Sequence, residues 1–152
     1  MAAFGGANGV MATMSEKQFE KKVLCAMHRR DYWAKHLTVS IDGFPDILCM
    51  KDYGGMLVEV KKYSGNPLVR ELFTTAQVPF YIGYTKLCDN LFVMCERDKD
   101  VVAFHVDKTL AKCMLNYTIE DTIAKSDWSC SGELEFVLDE MIGRFVFMRD
   151  FA

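Results

Sequence analysis

The chain has 152 residues, 51% of them hydrophobic and 26% charged, with a net charge of −3. That is enough for one compact core and too little for two. No run of eighteen apolar residues occurs, and the start MAAFGGANGVMATMS lacks the basic and apolar regions of a secretory signal, so a cytoplasmic protein with no membrane partner is expected. The six cysteines never form the close pairs of a zinc site or redox dithiol, which reads as six reduced core residues.

Acidity argues against a nucleic-acid partner, but its distribution does not. Residues 1–106 hold 13 Lys and Arg against 12 Asp and Glu, while residues 107–152 hold 5 against 9. The acidic last third suits a protein contact, whereas Lys17, Lys21, Lys22, Arg29, Arg30 and Lys35 gather around the first expected helix.

In chain order, residues 1–13 read as a flexible arm rich in Gly, Ala and Asn. Ser15 with Gln18 forms a capping box, and Phe19, Val23, Leu24 and Met27 follow at helical spacing, predicting a helix that ends near Arg30. Trp33 to Ile41 reads as a first strand. Asp46 to Met50 and Met56 to Lys61, separated by Lys51-Asp-Tyr-Gly-Gly55, form the clearest hairpin. Asn66 and Pro67 then predict a helix start, with helix through about Gln77. Strands are expected over Val78 to Thr85, Leu91 to Cys95 and Val101 to Val106, giving an α/β fold with a mixed sheet. Beyond these, Asp107 to Asn116, Thr118 to Lys125 and Gly132 to Met148 carry helical patterns, the last through Leu134, Val137, Leu138, Met141, Ile142 and Phe145.

Strand alternation puts Glu59 and Lys61 on one face and Val58 and Val60 on the other. Asp46, directly after Pro45 at the start of the partner strand, can meet Glu59 across the hairpin. Two carboxylates among apolar runs need a compensating charge, and a magnesium ion, which takes oxygen ligands and keeps several waters, would suit them. Asp46, Glu59 and the backbone carbonyl of Val60 are the candidate ligands, with Lys61 beside the attacking water. Each residue also has a plain structural use: a turn aspartate, edge-strand charges, a first-turn glutamate. Jointly they favour a cation site open to water and a scissile phosphate.

Gly43-Phe-Pro-Asp-Ile-Leu48 followed by Val58-Glu-Val-Lys61 resembles the PD-(D/E)XK nuclease superfamily. More narrowly it is similar to the virus-type replication-repair nuclease (VRR-NUC) family of bacteriophages, over roughly residues 14 to 85. The resemblance implies a restriction-endonuclease-like core of helix, three-stranded meander, helix and strand in residues 14–106, with residues 107–152 a helical extension packed on it in the same domain. It implies Mg²⁺- or Mn²⁺-dependent endonuclease activity on DNA, by cutting branched DNA, nicking or double-strand cleavage. The opening helix of the family contributes a further acid, matched by Glu16, with Glu20 as the alternative. Family members carry a Gln early in the helix after the ExK strand; this chain has Val69 and Arg70 there and Gln77 only later. Lys17, Lys35, Lys62 and Arg70 are the candidate DNA contacts. A homodimer would provide two cutting sites. The rival expectation is a catalytically silent DNA-binding or assembly module of the same fold.

Overall fold

The computed structural model describes residues 16–39, 41–52, 54–98 and 100–151. The expected N-terminal arm and the Ser15 cap lie outside the described residues. Helix α1 spans residues 16–28. Strands β1 (Trp33–His36), β2 (Ile47–Lys51) and β3 (Gly54–Tyr63) follow, then helices α2 (Val69–Leu72) and α3 (Gln77–Tyr84) and strands β4 (Leu91–Arg97) and β5 (Asp100–His105). Helix α4 (Lys108–Cys113), a 3-10 turn (Met114–Asn116), α5 (Ile119–Lys125), β6 (Ser129–Gly132) and α6 (Leu134–Phe151) complete the chain.

The six strands form one mixed sheet in the order β1-β2-β3-β4-β5-β6. All neighbours are antiparallel except β3 and β4, which run parallel because the chain crosses over between them through α2 and α3. Helices cover both faces. On one, α1 (Phe19, Val23, Ala26, Met27) and α6 (Val137, Leu138, Met141, Phe145) bury Val58, Val60, Phe92 and Met94. On the other, α2, α3, α4 and α5 bury Leu57, Tyr63, Val93 and Phe104 with Phe73, Val78, Tyr81 and Leu110. Strand β3 is thus enclosed on both sides, which explains why it reads as a nearly continuous apolar run interrupted by Glu59, Lys61 and Lys62.

Several boundaries differ from expectation, each for a local reason. The helix expected to run from Asn66 to Gln77 is one turn, Val69–Leu72, capped at Leu68, because Phe73 is extended. Asn66 is no N-cap for it; its Oδ1 accepts the Glu120 amide instead. Val78 to Thr85 is not a strand: Gln77–Tyr84 is helix α3, whose Pro79 stands in the first turn, where the missing N–H breaks no internal bond. Its apolar and aromatic residues bury a helix stripe through Val78 and Tyr81. The first strand stops at His36. The last third adds a strand as well as helices, since β6 pairs with β5. Of the six cysteines, all free, Cys49 and Cys95 are buried and Cys25 and Cys88 are exposed, so they are not uniformly core residues. No helix among the described residues is long and apolar enough to cross a membrane.

Phe19 anchors α1 to the sheet next to Glu16 and is almost fully buried. Phe19→Ala is expected to lower unfolding free energy by about 3–5 kcal/mol in urea denaturation, the cost of a large core cavity.

Candidate active site

The hairpin register determines the geometry. Strand β2 pairs with β3 only as far as Ile47 opposite Val58. Extending that register by two places would set Pro45 opposite Val60, and Pro45 has no N–H to offer the ladder. The strands part there. The Val60 amide instead donates to Asp46 Oδ2 at 2.9 Å. In a strand the N–H and C=O of one residue point to the same side, so the Val60 carbonyl opens on the same gap beside Asp46.

The loop that delivers Asp46 is fixed from beneath. Gly43 has φ +87°, and a Cβ built on it would lie 2.2 Å from the Ala76 carbonyl oxygen. Only glycine permits both the backbone angle and this approach to the start of α3. Phe44 packs against Phe80 of the same helix, ring centroids 5.1 Å apart. Asp46 is thereby docked to α3, the helix that carries Gln77.

Glu59 is 1% exposed and Lys61 5%, on the face covered by α2 and α3. Lys61 Nζ lies 3.3 Å from Glu59 Oε2 and donates to Gln77 Oε1 at 2.9 Å. Gln77 Nε2 in turn donates to Glu59 Oε2 at 2.9 Å, and the Thr74 amide donates to Gln77 Oε1, fixing the orientation of the amide group. The Lys61 ammonium also stands 4.9 Å from the centre of the Phe73 ring. Glu59 Oε1, by contrast, is buried and makes no hydrogen bond of normal geometry, nor does the Tyr81 hydroxyl, although Tyr81 lies close enough to Glu59 for the two groups to interact.

The electrostatics match this imbalance. Burial, then the Asp46 carboxylate, push the Glu59 carboxyl well above its ordinary value, against the opposing pull of Lys61. Burial likewise raises the Tyr81 hydroxyl, with the charge of Glu59 adding to it. At the head of α1, burial raises the Glu16 carboxyl; Lys61 opposes this and Asp46 and Glu20 reinforce it. Glu16 thus lies within electrostatic reach of Lys61 and Asp46, whereas Glu20, one turn along, is ion-paired with His36.

No three His, Cys, Asp or Glu side chains among the described residues are gathered closely enough to hold a metal ion by themselves. The oxygen donors that do converge are Asp46, Glu59 and the Val60 carbonyl. A divalent cation fits this set: it would meet the orphaned Oε1 and separate two crowded carboxylates, and magnesium needs only one or two carboxylates when waters complete its shell. Glu16, expected as a further ligand, is not gathered with Asp46 and Glu59 into a three-carboxylate set.

The other candidates are spread more widely. Lys35 pairs with Leu48 and so shares the sheet face of Asp46, but it is exposed and two strands from Glu59. Arg70 donates to the Leu115 carbonyl and lines a groove of about 360 Å³ with Phe73 and Thr74. Lys62 is not brought to the site: alternation turns it to the opposite sheet face, where it is ion-paired with Glu96. Lys17 lies on the exposed side of α1. Gln77, passed over for its late position, is the residue that joins Glu59 to Lys61. Comparison of the chain with family models, with curated proteins and with solved structures finds no match in any of the three.

A carboxyl whose native value is raised makes the folded state bind protons more tightly than the unfolded one. Stability from Glu59 is then greatest below the ordinary carboxyl range and falls as pH rises from there toward the raised native value. Urea denaturation across pH 4–8 is expected to show this decline in the wild type and a flatter profile in Glu59→Gln; parallel profiles would refute it.

Proposed function

We propose that this chain is a divalent-metal-dependent nuclease with a restriction-endonuclease-like core, hydrolysing DNA phosphodiester bonds at the gap between β2 and β3. The order of helix, three-stranded meander, helices and parallel fourth strand supports that architecture. The observation that carries the reading is the buried, partnerless Oε1 of Glu59 next to Asp46, with the Lys61 ammonium held alongside.

Asp46, Glu59 and the Val60 carbonyl would hold Mg²⁺ or Mn²⁺. When bound, such an ion supplies charge neutralisation for the scissile phosphate and a lowered pKa for a coordinated water. The chain's own groups account for the rest. The Lys61 Nζ–H groups can donate hydrogen bonds to the attacking water, orienting it, or to a phosphoryl oxygen as negative charge develops. Gln77 is the positioning residue: fixed by the Thr74 amide, it keeps the ammonium and Glu59 in register. Phe73 and Tyr81 exclude bulk water from the inner side, which strengthens these interactions. Glu16, at the head of α1, would act on the ion only through water.

Purified protein incubated with supercoiled plasmid and with a branched duplex is expected to cut in Mg²⁺ or Mn²⁺ and not in chelator. Lys61→Ala is expected to slow cutting by on the order of 10²–10⁴. An intact plasmid and branched duplex under all metal conditions would instead assign the chain as a binding module. Mn²⁺ should also raise the melting temperature of the wild type, by about 2.7 kcal/mol of stabilisation at a hundredfold excess over Kd. Asp46→Asn, which keeps an oxygen for the Val60 amide, should abolish that rise; a rise of equal size would remove Asp46 from the ion.

A further inference from the structure

The groove beside Arg70 lies where the last third of the chain meets the crossover between β3 and β4. Among the described residues it is lined by Arg70, Phe73, Thr74 and Thr75, from α2 and its link to α3, and by Leu115 and Asn116 of the 3-10 turn, around about 360 Å³. Pockets for small ligands begin at about 300 Å³. The two walls are pinned to each other. The Val69 amide donates to the Tyr117 carbonyl at 3.0 Å, the Ile119 amide to the Pro67 carbonyl at 2.8 Å, and Arg70 Nη2 to the Leu115 carbonyl at 3.2 Å. The groove is therefore preformed, and residues beyond position 106 supply one of its walls.

Its chemistry is one-sided. Arg70 brings a cation, and no Asp or Glu lines the groove among the described residues. Arg70 has no ion-pair partner among them, and its one bond to Leu115 leaves most of the guanidinium donors open. The Thr74 and Thr75 hydroxyls and the Asn116 carboxamide are exposed and make no hydrogen bond among the described residues. Phe73 and Leu115 add apolar surface. Two of these residues also belong to the candidate site: the Phe73 ring centre stands 4.9 Å from the Lys61 ammonium, and the Thr74 amide holds Gln77 Oε1. Groove and site thus share one stretch of chain.

We propose that this groove seats one nucleotide of the strand cut at the candidate site, so that the last third of the chain takes part in binding substrate. Arg70 suits the phosphate, because its planar fork of donors matches phosphate oxygens. Asn116 presents a donor and an acceptor side by side, the pattern that meets the edge of a base. The threonine hydroxyls suit the sugar, and the apolar surface suits the face of the base. A groove of this volume takes one such unit, drawn out of the stack of its neighbours. The inference deepens the nuclease reading and rests on it for the strand to which the nucleotide belongs.

The test follows the backbone amide signals of the nitrogen-15-labelled full chain in chelator, titrated with each deoxynucleoside 5′-monophosphate and, separately, with inorganic phosphate. Saturable shifts at Thr74, Thr75, Leu115 and Asn116 are expected with the nucleotides. Arg70→Ala is expected to weaken binding on the order of tenfold to a hundredfold, as the loss of a charged hydrogen bond implies, and Asn116→Ala by about twofold to tenfold, as the loss of a neutral one implies. Shifts confined to other residues, wild-type binding by both variants, or phosphate bound as tightly as every nucleotide would overturn the proposal. With an oligodeoxynucleotide substrate and Mn²⁺, Asn116→Ala should raise KM by the same factor and leave kcat unchanged, a split that a damaged fold would not produce. Unchanged KM beside weakened mononucleotide binding would assign the groove to a free nucleotide and overturn the strand assignment. Nucleotide seated in the groove of a protein that leaves all DNA intact would sink the nuclease reading and keep the seat; cutting with no nucleotide in the groove would do the reverse.

Discussion

A carboxylate held almost wholly out of water is the constraint around which this molecule is arranged. Removing such a charge from water is penalised by several kcal/mol even after the surroundings relax. Lys61 and Gln77 both address Glu59 Oε2, and a hydrogen bond to a charged group contributes only about 1.5–3 kcal/mol. That offsets one oxygen and leaves Oε1 without a partner, with the Asp46 carboxylate close enough to add repulsion. A retained proton would relieve this, in line with the raised value of the Glu59 carboxyl, and a bound cation would do the same. An apolar residue at position 59 would not resolve the conflict by itself, because it would leave the buried Lys61 ammonium without its counter-charge.

The same constraint explains why the hairpin ends where it does. Had β2 continued beside β3, its backbone would have covered Val60 and filled the gap. Pro45 stops the ladder, Asp46 satisfies the one amide left behind, and the carbonyl beside it stays open. Gly43 then docks this corner against α3 through a contact that no other residue could make. Three residues of a short motif thus have separate duties: close approach, strand termination and charge.

The hairpin was legible because its signals are local: alternation over Val58 to Lys61, glycines in the turn, Pro before Asp. Helix α1 and the last helix were legible from apolar spacing, and the structure buries Val137, Leu138, Met141 and Phe145 as that spacing predicts. The stretch from Asn66 to Thr85 misled, since Val78-Pro-Phe-Tyr81 is rich in residues that favour strands, and tertiary contacts with Leu57, Val93 and Phe104 make it a helix. A helix running on from Asn66 would end at Gln77, whereas the break at Phe73 makes Gln77 the first residue of α3, with its Oε1 accepting from Lys61. Strand β6, Ser-Cys-Ser-Gly, has little strand propensity and exists through its pairing with β5. What failed in each case was information carried by distant partners.

Net charge was the least informative quantity of all, and the structure gives the reason. Part of the acidic last third is matched locally: the exposed Glu135 and Asp139 of α6 pair with Arg29 and Arg30, and Glu120 pairs with Arg97. Those pairs neutralise the arginines at the far end of α1 and leave its lysines near Glu16 unpaired. Binding a polyanion depends on the local field within about a Debye length, roughly 10 Å at 0.1 M salt, rather than on a sum over the chain. An acidic protein can therefore carry a cationic helix face, provided its acids are matched elsewhere, and here the matching partners lie on the helix packed beside it.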